Sequence, residues 1–278
     1  MRNEIIAKRF DQERALYNLK HTDVLDCVFA GPAGGESALK DARDVRMENC
    51  CFSLGYPLWH AEKFHLHDSR MDEHTRSPMW YCRSGLITDS DIHGSKAIRE
   101  CRDIDIRDCT VTSEEFGWKS SNITVTDSTL SARHLFLDSR NITLDRVKMS
   151  GEYSFQYMEG ITIRNSVLDT KEAFWHSKNV TVENSVIKGD CLGWFSQGMT
   201  LRHCRIIGAR PLCYCKDLTL EDCTMEDGSS VSSEARTGLV GHVDSVRNIH
   251  SGRIIANSKG RVITAGAAMR YAGTVTVR

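Results

Sequence analysis

One spacing constrains this chain more than any other. Nearly the same nine residues return as NITVTDSTL (122–130), NITLDRVKM (141–149) and NVTVENSVI (179–187). Indexed by the Asp/Asn-like residue of each copy, the series runs Asp26, Asn49, Asp68, Asp89, Asp108, Asp127, Arg146, Asn165, Asn184, His203, Asp222. The intervals are 23, 19 and 21, then seven steps of 19. A period near twenty residues, held over that many copies, specifies stacked coils, because one copy can bury its apolar side chains only against its neighbours.

Within a copy the apolar residues are spaced by two. Ile104, Ile123, Ile142, Ile161 and Val180 fill one column, and Ile106, Val125, Leu144, Ile163 and Val182 fill the next. This β-branched alternation reads as strand. A small column follows the Asp/Asn corner (Cys109, Ser128, Val147, Ser166, Ser185, Cys204), and two residues later an apolar column points inward again (Val111, Leu130, Met149, Leu168, Ile187, Ile206). YPLWHA (56–61), SPMWYC (77–82) and TKEAFWHS (170–177) align upstream and supply a third strand. The expected fold is all-β: a single-stranded parallel β-helix of three strands per coil, about 19 residues per coil and roughly 11 coils. Residues 1–12 read as a lead-in cap, 13–225 as the solenoid with an insertion GPAGGE (31–36), and 226–278 as an irregular C-terminal capping tail.

Composition narrows the function classes. A formal net charge of −1 gives no electrostatic reason to expect nucleic acid or an anionic membrane as partner. The first residues, MRNEIIAKRF, lack the apolar stretch of a secretory signal, and no long uncharged apolar run occurs. The 11 cysteines fall mostly in stacked columns, form no CxxC pair and are odd in number, so neither a disulfide framework nor structural zinc is expected. A reducing cytoplasm is the expected compartment. No cofactor is expected.

The outer faces differ in character. Thr124, Thr143, Thr162, Thr181, Thr200 and Thr219 form one row beside a row of mixed charge, as a sheet-stabilising face does. On the third strand, large residues (Trp59, Trp80, Arg99, Trp118, Leu137, Gln156, Trp175, Trp194) alternate with small ones (Ala61, Cys82, Cys101, Ser120, Ser139, Ser177, Ser196), which places both columns inside. The outward columns are then Leu58, Met79, Ile98, Phe136, Phe155, Phe174, Leu212 and Asp41, His60, Tyr81, Glu100, Lys119, Asp138, Tyr157, His176, Phe195, Tyr214. So many rings on a solvated face mark a binding surface or a covered one. The opposite assignment exposes five tryptophans instead, so an aromatic strip survives either choice.

RFDQERALYNL (9–19), GESALK (35–40), GYPLWH (55–60) and VDSVRNIHSGRIIA (243–256) resemble a bacterial domain-of-unknown-function family grouped with the pectate-lyase-like β-helices. The resemblance implies right-handed winding and a cleft on the outer face of the third strand; it implies no established activity. The paired-aspartate and RIK motifs of polygalacturonase-like enzymes are missing, and no aspartate cluster suggests a lyase calcium site.

What the strip offers chemically is Glu100 and Asp138, two coils apart and so about 9.6 Å between backbones. That is near the separation of an inverting glycosidase pair. Lys119 lies between them, and a Glu–Lys–Asp succession is equally a surface ion-pair row. His60, Tyr81, Tyr157, His176, Phe155, Phe174 and Tyr214 are the candidate sugar-contacting residues. His65 and His67, with Glu48 one coil earlier, have the types for zinc, but two histidines on an exposed strand ordinarily hold nothing, and no metal site is assigned. Saccharide binding or processing on the third-strand face is the leading expectation. The alternative is a non-catalytic scaffold that meets a protein, or a second copy of itself, through the same face.

Overall fold

The computed structural model describes residues 2–31, 36–226, 251–256 and 272–277. All its regular elements are β-strands, wound as a right-handed parallel β-solenoid of about 12 turns with roughly 19 residues per turn. The chain divides into two compact units, residues 1–143 and 144–278, that use the same coil.

In the first unit, one sheet runs Asn3–Ile6, Lys20–Leu25, Arg43–Glu48, Glu62–His67, Arg83–Thr88, Arg102–Arg107, Ser121–Thr126, each strand parallel to the next. Register follows the repeat: Ile104 pairs with Ile123 and Ile106 with Val125. A second parallel sheet includes Asp91–Lys96, Thr110–Phe116 and Thr129–Leu135. The second unit repeats both sheets, the first with Glu159–Arg164, Lys178–Glu183, Gln197–Arg202 and Leu218–Glu221. Of the tail, Ser251–Ala256 and Ala272–Val277 continue that sheet as two more parallel strands. The rest of the capping-tail reading, and residues 32–35 of the insertion, lie outside the described residues.

The corners explain the sequence columns. Every member of the Asp/Asn series, from Asp26 to Asp222, has φ between +45° and +54°. This is the left-handed region, which Asn and Asp tolerate better than other side chains. Arg146 and His203 hold the same geometry without that advantage. The small column beyond the corner is buried, and its hydroxyls tie one coil to the last: the Cys109, Val147 and Ser166 amides donate to the Ser128, Ser166 and Ser185 hydroxyls at 3.0 Å. Thiols take part as well, with Cys50 Sγ donating to the Val24 carbonyl at 3.4 Å. Ten of the eleven cysteines are buried, and only Cys51 is exposed.

The third side departs from the expectation of a full strand. Two-residue strands form at Leu58–Trp59, Met79–Trp80 and Ile98–Arg99; in the second unit the side is a turn. There, left-handed residues sit at both ends, as at Phe155 (φ 60°) and Tyr157 (φ 56°), or Phe174 (62°) and His176 (55°). A left-handed residue breaks the two-residue alternation, so inward positions fall three apart. Phe155 and Met158 point in, while Gln156 and Tyr157 point out.

The inside–outside assignment of this side is therefore corrected. Leu58, Met79, Ile98, Phe136, Phe155, Phe174 and Leu212 are core residues, and the tryptophan column is half-buried on the outside. Phe155 and Phe174 do not belong to any surface. They stack on each other in the interior, centroids 4.8 Å apart, with 0% exposure each.

Candidate functional site

The outward column of the third side survives the correction, because its members occupy the left-handed corner itself: His60, Tyr81, Glu100, Lys119 and Asp138 in the first unit, Tyr157, His176, Phe195 and Tyr214 in the second. In the second unit the four rings form a continuous stack. Successive centroids lie 5.1, 5.0 and 4.9 Å apart at interplanar angles of 6°, 8° and 6°. All four are exposed, Tyr157 by 58% and Phe195 by 46%. The coil spacing of about 4.8 Å sets this separation. Trp175 and Trp194 stack beside them at 5.5 Å, with each indole N–H donating to a carbonyl of the following coil, Cys191 and Arg210. Trp194 meets Phe195 and Tyr214 edge-on. Phe195 completes the row, although sequence reading did not place it among the sugar-contacting residues; it stands in the same column and could have been read from it.

The first unit carries a different ladder. Lys40 lies 4.2 Å over Trp59, Trp59 stacks on Trp80 at 5.7 Å, and Arg99 sits between Trp80 and Trp118 at 5.3 and 4.7 Å. The Trp59 and Trp80 indole nitrogens are buried and make no hydrogen bond. His60 and Tyr81 are neighbours at 5.2 Å but tilted by 59°, so they form no flat surface; His60 pairs with Asp41 at 3.4 Å.

Glu100, Lys119 and Asp138 stand on successive coils at φ 51°, 52° and 52°. Glu100 is half-buried and accepts from Arg99 Nε at 3.4 Å, so it is engaged rather than poised; Lys119 and Asp138 are exposed. A shallow recess of about 80 Å³ lies near this face, lined by Glu115, Trp118, His134 and Leu137, and neither carboxylate of the proposed pair lines it.

His65 and His67 do project together, but toward a hydroxyl. Both share Thr88 Oγ1, at 3.1 and 2.9 Å, and Glu48 is taken by Arg46 at 2.7 Å. Burial, and then the Arg46 charge, hold the His65 imidazole below its usual range. Among the described residues the one grouping with ligand spacing is Asp72, Glu73 and His74, three consecutive residues on an exposed loop where His74 already contacts Asp72 and Ser53.

Nucleophilic thiol chemistry finds no support in the interior. Desolvation pushes the Cys50 and Cys215 thiols up to about 12 and Cys109 to about 11, so each is held as the neutral thiol.

Fold and surface together define a right-handed parallel β-solenoid that displays a single-file row of rings along one corner. The chain belongs to the family described as "Protein of unknown function (DUF3737)", whose model matches residues 3–276. Among solved structures it is similar to PfbA, a surface adhesin of Streptococcus pneumoniae, at 8% identity and a TM-score of 0.42 over 81% of this chain and 69% of that one. It is also similar to a mutant of the periplasmic alginate epimerase AlgG, at 11% identity and a TM-score of 0.27 over 99% and 74% of the two chains. Likeness at this level carries no residue correspondence. No curated protein matches the chain in sequence.

Proposed function

We propose that this chain is a non-catalytic association module, and that the Tyr157–His176–Phe195–Tyr214 row is the surface on which a second copy docks. The observation that carries the reading is the row itself: four exposed rings on successive coils, stacked at 5.1, 5.0 and 4.9 Å with interplanar angles of 6°, 8° and 6°. A contiguous exposed aromatic row rimmed by polar side chains has the composition of an interaction surface.

The row is also matched to itself. Two residues beyond each ring stands one exposed or half-exposed polar side chain, in the order Glu159, Lys178, Gln197, Lys216, held in register by the first sheet. Two copies related by a two-fold axis perpendicular to the row would set Glu159 against the partner's Lys216 and Lys178 against the partner's Gln197. Such an interface uses one patch twice, has aromatics at its centre and charge at its rim, and a net charge of −1 opposes it little.

A saccharide along the same row is the second reading, supported by the Tyr157 and Tyr214 hydroxyls and the His176 imidazole. Mutual stacking leaves the rings edge-on to solvent, however, whereas sugars are usually gripped by ring faces. Turnover by Glu100 and Asp138 is favoured least, since Arg99 occupies Glu100.

The experiment is light scattering across a concentration series. A dimer is expected, with Phe195→Asp monomeric. Glu159→Lys should weaken it, and adding Lys216→Glu should restore it. A protein monomeric throughout, or a dimer indifferent to all three changes, ends the proposal; retention on immobilised oligosaccharides that Tyr157→Ala abolishes would then favour the sugar.

A further inference from the structure

One histidine is set apart from most of the others. His21, His60, His67, His74, His93 and His203 each lie within ion-pair reach of an aspartate, at 2.5 to 3.8 Å. His176 has no such partner among the described residues. It is exposed, and its ring lies flat between Tyr157 and Phe195, centroids 5.1 and 5.0 Å away.

The charged groups around it do not compensate a positive charge. Glu172 stands at the other end of the same turn, and Lys178 follows two residues later. Glu159, on the coil before, is the register partner of Lys178. The next coil brings Phe195 and Gln197, both uncharged, and Lys216 stands one coil further. The two-fold arrangement described above sets the edge of His176 against the edge of the partner's Phe195. In a free chain an imidazolium here would lie between two ring faces and open to water, which a cation tolerates. In the associated pair it would be withdrawn from water, opposite ring edges that carry the positive side of the aromatic quadrupole. The neutral imidazole meets neither cost.

We infer that His176 makes association of the ring row pH-dependent: copies hold together while its imidazole is neutral and part when it gains a proton. This rests on the association proposed above. Of the side-chain types on this surface, only imidazole ordinarily changes charge between about pH 5 and 8. The pair binds fewer protons than two free chains, so its stability is complete above that range and is lost as pH falls through it.

The test is sedimentation equilibrium of the full chain at about pH 7.5 and about pH 5.5, at one ionic strength. The dissociation constant should rise at the lower pH by about tenfold to a hundredfold, the upper figure being the linkage limit for two imidazoles, one per copy. His176→Phe keeps a ring in the row and removes the proton site, so its constant should not move between the two conditions. His176→Lys carries a fixed charge and should be monomeric at both, with melting curves verifying that each variant is folded. A parent constant equal at both pH values, the same pH response in His176→Phe, or a His176→Lys chain that associates as the parent does, each overturns the inference and leaves the association itself standing. A chain monomeric at every pH removes the association and this inference with it.

Discussion

Phe195 tests whether the ring row is held by stacking against a reluctant backbone. Its ring contacts His176 and Tyr214 at 5.0 and 4.9 Å, nearly parallel to both. An aromatic pair contributes about 0.5–1.5 kcal/mol beyond its area, so two pairs contribute roughly 1–3 kcal/mol. Opposing this is the φ of 59°, worth about 1–2 kcal/mol for a residue with a Cβ. Phe195→Ala removes the stacks and keeps the backbone penalty, so stability should fall by roughly 1–3 kcal/mol. Phe195→Asn removes the same stacks but tolerates the left-handed conformation, and its loss should be smaller by about 1 kcal/mol. At about 2–4 °C per kcal/mol the difference is readable by calorimetry, with the protein dilute enough that copies do not associate. If alanine and asparagine give the same melting temperature, the backbone argument is wrong. If alanine costs nothing, the stacking argument is.

Three further outcomes follow from the packing. Gly94→Ala would drive a Cβ into the Thr75 carbonyl oxygen and to within 2.8 Å of Pro78 Cδ; an overpacked backbone contact of that kind should cost about 1–3 kcal/mol in denaturant unfolding, and a neutral result would mean the corner is looser than drawn. Thiol labelling of the folded chain should modify Cys51 quickly and the other ten cysteines only on unfolding. Because burial raises Cys50 from 9.0 to about 12, the stability it contributes is complete below pH 9 and is lost as pH rises toward 12. Alkaline unfolding should therefore set in within that window and shift upward in Cys50→Ser; a shift downward would contradict it.

The winding was legible in the sequence because period and register are the same information: Ile104 above Ile123 in the alignment is Ile104 beside Ile123 in the sheet. The polar corner was legible for a related reason, since Asn and Asp recur where φ is positive. The third side was not, and the cause is local. Strand logic assigns faces by parity, and parity fails wherever a left-handed residue intervenes. Nothing in FQY or FWH announces that the first and third residues of each triplet turn left-handed. Parity consequently puts Phe155 and Phe174 outside, whereas they are core, and the tryptophans inside, whereas they are half-exposed. The column of Tyr157 and His176 escaped the error because both assignments leave it facing solvent.

The row of rings has a fixed graduation. Each winding adds one ring and one flanking side chain, and the backbone, rather than the rings, dictates the step between them. Duplicating or excising a nineteen-residue block would lengthen or shorten this surface by one mark and leave every remaining interval as it was. Such a surface can be retuned in reach by copying or deleting coils, without redesign of any contact, much as a scale is cut to length.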